Sequence, residues 1–255
     1  MRYFVLASLF ASLLFDAAVA APWPRESGRL FLESRLDYFR AETVQEGVFE
    51  RVDATTYVEY GLNSKTMIGG KIVYGSSWLN DGSVQLAATG FTEIDVFAQR
   101  TIHRRRNDIL SLRLGATRPA RRETGVRARL AADNWDGEIR ALYGRNLHLK
   151  PIKIFTTTEV AYRRRFGDAA DQLRIDGTIG FEPNKNWLAL VELQSTVSLR
   201  NAAPNGADFD VLKLQPSIIR RVSQRWSVRA GGIFELASRN LTTGNGAFLA
   251  LWSEF

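Results

Sequence analysis

The 255-residue sequence contains no cysteine, only seven prolines and only two histidines. Without cysteine there is no disulfide framework and no thiolate metal site. The few prolines are scattered, and no Ser/Pro-rich stretch separates halves of different composition, so the length reads as one domain. Beyond the first twenty residues, no apolar run approaches the ~18 residues of a membrane-spanning helix, which leaves only an interfacial element or a barrel for any contact with a bilayer. What is present also excludes a disordered chain: 45% of residues are hydrophobic and 24% charged. Lys and Arg number 34 against 27 Asp and Glu, a formal net charge of +7.

Residues 1–20 carry one early cation, Arg2, an apolar stretch from Phe4 to Phe15, and the small-residue ending Ala18-Val19-Ala20. This pattern predicts a secretory signal cleaved after Ala20, with residues 21–255 forming the exported domain. Arg2 and Asp16 cancel, so the excess positive charge belongs to that domain. An exported basic protein meets phosphate on lipid head groups, and nucleic acid is not an expected partner.

The hydrophobic residues recur with a period of two. Leu30, Leu32, Leu36 and Tyr38 alternate with Arg29, Phe31, Glu33, Arg35 and Asp37. Val52, Ala54, Thr56, Val58 and Tyr60 likewise alternate with Arg51, Asp53, Thr55, Tyr57 and Glu59. Such alternation puts opposite chemistry on the two faces of a strand. It predicts strands over 28–40, 48–61, 65–77, 91–103, 107–118, 135–147, 152–164, 172–182, 187–199, 209–221, 225–238 and 247–255. A soluble sandwich also alternates, but its strands are typically ~5–6 residues, whereas these meet the ~9–11 that a tilted strand needs to cross a bilayer. Barrel parity requires an even strand count with the longer loops external, which makes 119–134 a single external excursion. The expected fold is therefore an all-β, up-and-down antiparallel transmembrane barrel of twelve strands, with ten and fourteen as the alternatives.

Interfacial aromatic residues agree with this arrangement. Tyr38, Tyr74, Trp78, Trp135 and Tyr162 fall near external strand ends; Tyr60, Trp187, Trp226, Trp252 and Phe255 fall near periplasmic ends, giving two expected girdles. The last segment places Phe255 on the face of Leu249 and Leu251. It resembles the closing strand of bacterial outer-membrane proteins, whose terminal aromatic residue is the signal read by the barrel assembly machinery. That resemblance implies location in the bacterial outer membrane.

With the apolar face toward lipid, the lumen is expected to receive the cations Arg35, Arg51, Lys71, Arg113, Arg140, Arg163, Arg174, Lys213 and Arg229. The anions expected there are Glu33, Asp37, Asp53, Glu59, Glu93, Asp95, Glu138, Glu159, Asp176, Glu192 and Glu235. The two signs nearly balance, which fits either structural cross-strand pairs or a water-filled, weakly selective lining. The excess charge sits in clusters at the strand ends. Arg104–Arg106 and Arg220, Arg221 and Arg225 lie at periplasmic turns, where they offer a surface for a periplasmic partner. Arg118, Arg121, Arg122, Arg127, Arg129, Arg164 and Arg165 lie externally, where guanidinium groups could bridge lipopolysaccharide phosphates.

The sequence is poor in groups for catalysis. His103 and His148 both fall near periplasmic ends, and no Gly-x-Ser-x-Gly, His-Glu-x-x-His or phosphate-cradling glycine loop occurs. The expectation is a non-enzyme with no cofactor and no metal. Thr89-Gly90-Phe91-Thr92-Glu93, Leu142-Tyr143-Gly144-Arg145-Asn146, Ala161-Tyr162-Arg163, Asp171-Gln172-Leu173-Arg174 and Ser238-Arg239-Asn240 resemble segments of outer-membrane barrels of the putative transporter or phenol-degradation (MetA-type) pathway group. The resemblance implies passage of a small solute, aromatic ones included, across the outer membrane, and a twelve-stranded barrel would allow a narrow pore at most. The expected function is a narrow passive channel for small solutes. The alternative is a non-conducting structural or export-associated barrel that binds lipopolysaccharide or a periplasmic partner.

Overall fold

The computed structural model describes residues 22–42, 47–80, 85–118, 134–149, 152–204 and 206–255. The expected signal at 1–20 and most of the excursion 119–134 lie outside them. The described residues form twelve strands: β1 (Leu30–Glu42), β2 (Val48–Asn63), β3 (Thr66–Asn80), β4 (Gln85–Arg104), β5 (Asp108–Arg118), β6 (Asp136–Leu149), β7 (Ile152–Arg165), β8 (Gln172–Asn184), β9 (Trp187–Ser198), β10 (Asp210–Arg221), β11 (Trp226–Arg239) and β12 (Gly244–Glu254). Each pairs antiparallel with its sequence neighbours, and β1 pairs with β12 to close the cylinder. Closure removes both sheet edges, so every strand finds ladder partners that hydrocarbon could not supply. The largest departure from the expected boundaries is β4, which starts six residues early, at Gln85 rather than residue 91.

The alternation in sequence becomes an outside and an inside. Leu36, Ile72, Val96, Leu114, Ile139, Val160, Ile179, Val191, Ile218, Leu236 and Leu249 project outward as exposed apolar side chains around the circumference. A belt of this kind is stable only against lipid. Connections at the end carrying residues 64–65, 105–107, 185–186 and 222–225 are short, and those at the other end, such as 166–171 and 199–209, are longer. By the rule that bacterial barrels keep their short turns periplasmic, the first end is the periplasmic one.

The expected girdle residues Tyr38, Tyr74, Trp78, Trp135 and Tyr162 at the external end, and Tyr60, Trp187, Trp226 and Phe255 at the periplasmic end, all face outward. Trp252 does not. It points into the barrel, only 6% exposed, where its indole Nε1 donates to Glu33 Oε2 at 2.9 Å and its ring meets Phe31 edge-on at 5.7 Å. The girdle expectation fails here because Leu249 and Leu251 take the outward positions of β12, and the period of two turns residue 252 inward.

The inside is also more apolar than the ionic lining expected from the sequence. Phe31, Tyr57, Leu188, Leu190, Ile219, Ala250 and Trp252, contributed by β1, β2, β9, β10 and β12, form a buried cluster in the periplasmic half, with Phe97 and Phe155 packed against it. A second cluster of Phe39, Ala41, Ile233 and Phe248 lies further toward the external end of the same side.

Candidate functional site: a charged chamber above a closed periplasmic mouth

The segment before β1 does not trail into the periplasm. Residues 22–25 enter the lumen and pack against β4, β5, β6 and β7, opposite the apolar cluster. The Pro22 carbonyl accepts from Ser111 Oγ at 2.6 Å and Gln99 Nε2 at 3.2 Å, and Trp23 meets Phe155 edge-on at 6.0 Å. Gly144 faces this segment: a Cβ there would fall 2.4 Å from Pro22 Cγ, so only glycine leaves room for the chain. Arg25 is the anchor. Its Nε donates to Glu59 Oε2 at 2.6 Å, with the side chains 7% and 1% exposed, and its guanidinium lies 4.2 Å from the centre of the Phe31 ring. The Tyr57 hydroxyl also donates to Glu59, and Arg113 Nη2 lies 4.0 Å from the same carboxylate. The return to the wall is fixed by Gly28 N–H donating to the Gly61 carbonyl at 2.8 Å. The periplasmic half of the lumen is thus filled by an apolar cluster on one side and by residues 22–25 on the other.

Above it, mainly on the β3–β8 side, lies a cavity of about 270 Å³ whose lining includes Lys71, Asp95, Arg140, Glu138, Arg174 and Asp176. Arg140 is the hub. Its Nε donates to Glu138 at 2.8 Å and its Nη1 to Glu159 and Asp176, each at 2.6 Å. Glu138 also accepts from Arg163 Nε and Arg174 Nη1, each at 3.1 Å. Lys71 bridges Glu93 and Asp95, the latter at 3.0 Å. Two carboxylate oxygens on this lining, Asp95 Oδ1 and Asp176 Oδ1, are buried without a hydrogen-bond partner.

All eighteen candidate lumen positions lie on the inner face, but they divide by location. Lys71, Glu93, Asp95, Arg113, Arg140, Glu159, Arg174, Asp176 and Glu192 lie in or beside the chamber, together with Glu138 and Arg163. Glu59 belongs to the anchor of the N-terminal segment. Arg35 donates to Asp37, Arg51 pairs with Asp53 at 2.9 Å, and Lys213 pairs with Glu235 at 3.0 Å around the remaining wall. Glu33 and Arg229 are packed beneath, Arg229 bridging Glu192 and Ser217 while its guanidinium lies 5.0 Å from the Phe248 ring centre. Nothing in the alternation pointed to Pro22-Trp23-Pro24-Arg25; the available signal was an apolar, proline-flanked tryptophan with no strand to belong to.

On the outside, Arg118 projects outward over Trp135, 5.5 Å from its ring centre. Arg164 projects outward beside Tyr162 and donates to Asp171 at 2.7 Å. Arg165 does not join them: it sits one residue on, turns inward, and lies 3.5 Å from Asp136 with its side chain 10% exposed, because the strand alternation of β7 reaches that far. Arg121, Arg122, Arg127 and Arg129 lie outside the described residues. His103 faces outward at the periplasmic end of β4, opposite Leu110, and the side chain of His148 is not among those described. Phe255 packs edge-on against Trp226 at 6.1 Å and exchanges backbone hydrogen bonds with Leu30 at the closing seam.

The external loops are ordered around Asp171. Burial alone would raise this carboxyl, but donors from the Arg165 N–H, Asn201, Tyr162 and Arg164 outweigh it and hold it down at about 2.

Solved structures with this architecture are bacterial outer-membrane barrels. The COG4313 outer membrane channel from Pseudomonas putida F1 is 11% identical, with 94% of this chain and 100% of that chain covered and a TM-score of 0.67. The KdgM porin is 8% identical, with 88% and 99% covered and a TM-score of 0.55. The translocator domain of the autotransporter NalP from Neisseria meningitidis is 13% identical, with 91% and 90% covered and a TM-score of 0.52. At these identities the likeness is one of fold, and the chain has the fold of bacterial outer-membrane barrels. No family model matches the chain, and no curated protein matches it at a significant level.

Proposed function

We propose that this barrel is a narrow passive channel for small solutes, with the charged chamber as its selective part and residues 22–25 closing its periplasmic mouth. The observation that carries this reading is the chamber itself. A barrel built only as an anchor would gain from a packed apolar interior, since a desolvated ionic network rarely adds net stability; here about 270 Å³ is left open among charged groups. The resemblance of the chain to the MetA-type barrels supports the same class of cargo. The test is single-channel recording in planar bilayers, comparing the intact barrel with variants that release the N-terminal segment. Small, infrequent steps that become frequent on release support a channel.

The filled periplasmic half favours a second reading, a non-conducting barrel that binds lipopolysaccharide through outward Arg118 and Arg164. Silence in the bilayer from both the intact and the released barrels would select it. Weaker lipopolysaccharide binding by an Arg118→Ala/Arg164→Ala variant would then identify the surface.

A further inference from the structure

The chamber's lining points to the chemical class of its occupant. Five cations and five anions line it, so its charge is balanced. A balanced wall has no field with which to concentrate an ion of either sign, and a lone ion that gives up its hydration there is poorly repaid. An apolar solute would fare worse, because it would strip water from the charged groups without replacing the hydrogen bonds. A solute carrying both signs is repaid at both ends.

Groups of each sign keep surface toward the lumen. Asp176 gives Oδ2 to Arg140 and its side chain is 17% exposed, and Asp95, which gives Oδ2 to Lys71, is 20% exposed. Among the described residues, Arg174, two residues before Asp176 on β8 and on the same inner face, donates only through Nη1, to Glu138 at 3.1 Å. Guanidinium has five donors, so most of the fork is open toward the cavity. Alternate residues of a strand are ~6.6 Å apart, the separation at which one small molecule can span an acceptor and a donor.

We propose that the chamber binds a small zwitterion of the amino-acid class, its ammonium held by Asp176 and its carboxylate by Arg174. The proposal deepens the channel reading and relies on it for the route of the solute, but recognition in the chamber can be measured without flux.

The test is equilibrium dialysis of the purified, folded full chain in detergent. The probes are radiolabelled serine, ethanolamine, which lacks its carboxylate, and 3-hydroxypropionate, which lacks its ammonium. Serine is expected to bind about tenfold more tightly than either, the effect of one charge-assisted hydrogen bond. Asp176→Asn should weaken serine about tenfold and leave 3-hydroxypropionate unchanged, and Arg174→Gln should weaken serine while leaving ethanolamine unchanged. Gly115→Val keeps every charge and places bulk in the chamber; a Cβ there meets only ordinary contacts, Val96 O at 3.5 Å and Phe97 Cβ at 3.6 Å, so the barrel accommodates it. It should weaken serine as well, and it serves as the test should a charge variant fail to fold.

Equal binding of the three probes, no binding of serine, or serine binding unchanged by Gly115→Val would overturn the proposal. Swelling of liposomes carrying the Arg25→Ala barrel, in which the N-terminal segment is released, separates the two readings. Serine that binds without entering leaves recognition standing and sinks the channel, whereas entry of all three probes at one rate with no binding does the reverse.

Discussion

In the proposed channel, the contact that decides whether the periplasmic mouth stays closed is the one between Arg25 and Glu59. Their side chains are 7% and 1% exposed and 2.6 Å apart, so Arg25→Ala leaves a carboxylate buried without its main counter-ion. Removing one partner of a buried pair costs ~3–5 kcal/mol. Tyr57 and Arg113 still face Glu59, so the lower figure of ~3 kcal/mol is the appropriate one. Other contacts that hold residues 22–25 include two hydrogen bonds to the Pro22 carbonyl at ~1 kcal/mol each and one edge contact of Trp23 on Phe155 at ~1 kcal/mol. Loss of the ion pair raises the released population on the order of a hundredfold. Single-channel recording should show the open fraction rising accordingly, and Arg25→Lys, which keeps the charge but not the planar guanidinium over Phe31, should fall between. An Arg25→Ala barrel that is folded and closed as often as the parent would refute the assignment of this segment as the barrier.

Three further perturbations follow from the same contacts. Gly144→Val drives a side chain into Pro22 and Trp23 without altering any charge, so it should open the mouth as Arg25→Ala does and add little to it in the double variant; in the single Gly144→Val variant, faster trypsin cleavage after Arg25 than in the parent gives an independent readout. Trp252→Ala removes a buried indole and the donor to Glu33, and should destabilise the barrel by ~3–5 kcal/mol in equilibrium urea unfolding into lipid; a loss under ~1 kcal/mol would mean that the apolar cluster collapses into the gap. Asp171 is held at about 2, below its unfolded value, so its contribution is fully present above the unfolded pKa and is lost as pH falls from ~5 toward 2. The loop position limits this to ~1 kcal/mol after solvent screening. Protease sensitivity of residues 166–171 and 199–209 should rise over that range in the parent and be high at every pH in Asp171→Asn.

Most of the fold was legible because a membrane barrel writes its geometry at a period of two. Leu30 to Tyr38 and Val52 to Tyr60 each specify a face, and the strand boundaries follow wherever that pattern runs out. What escaped reading escaped for identifiable reasons. Trp187 to Val191 is apolar at every position, so only the parity set further along, Leu193 outward against Glu192 and Gln194, turns Leu188 and Leu190 inward, and it does not say that they join an apolar cluster. Trp252 pitted a compositional preference, tryptophan at an interface, against strand parity, and parity won because the alternative would turn Leu249 and Leu251 into the lumen. Arg165 was grouped with Arg164 as neighbours in a charge run, although adjacent residues of a strand face opposite ways. Pro22 and Pro24 announce that their segment is not a strand, but its destination depends on Gly144, Gln99, Ser111 and Glu59, each far away in sequence.

The placement of charge inside the barrel bears on why the interior is divided. Apolar residues from β12, β1 and β2 run along one wall from Trp252 to Phe39, and the ionic network occupies the wall opposite. Arg140 and Lys71 satisfy carboxylates of their own β3–β8 wall, as Arg35, Arg51 and Lys213 do on the remaining wall, and the space in front of Arg140 and Lys71 stays open. The apolar wall supplies the packing against which Arg25 and residues 22–25 are clamped. Arg113 ties the two halves: it lies beside Glu59, donates to Gln99 at 2.6 Å, and lines the chamber. Gln99 in turn donates to Pro22. A ligand that draws Arg113 toward the chamber therefore frees Gln99 Oε1 and loosens the bond from Gln99 Nε2 to the Pro22 carbonyl. Loss of Arg113 should uncouple chamber from mouth, so that serine changes the open fraction of the parent barrel but not that of Arg113→Gln; an equal response in both would show that chamber and mouth act independently.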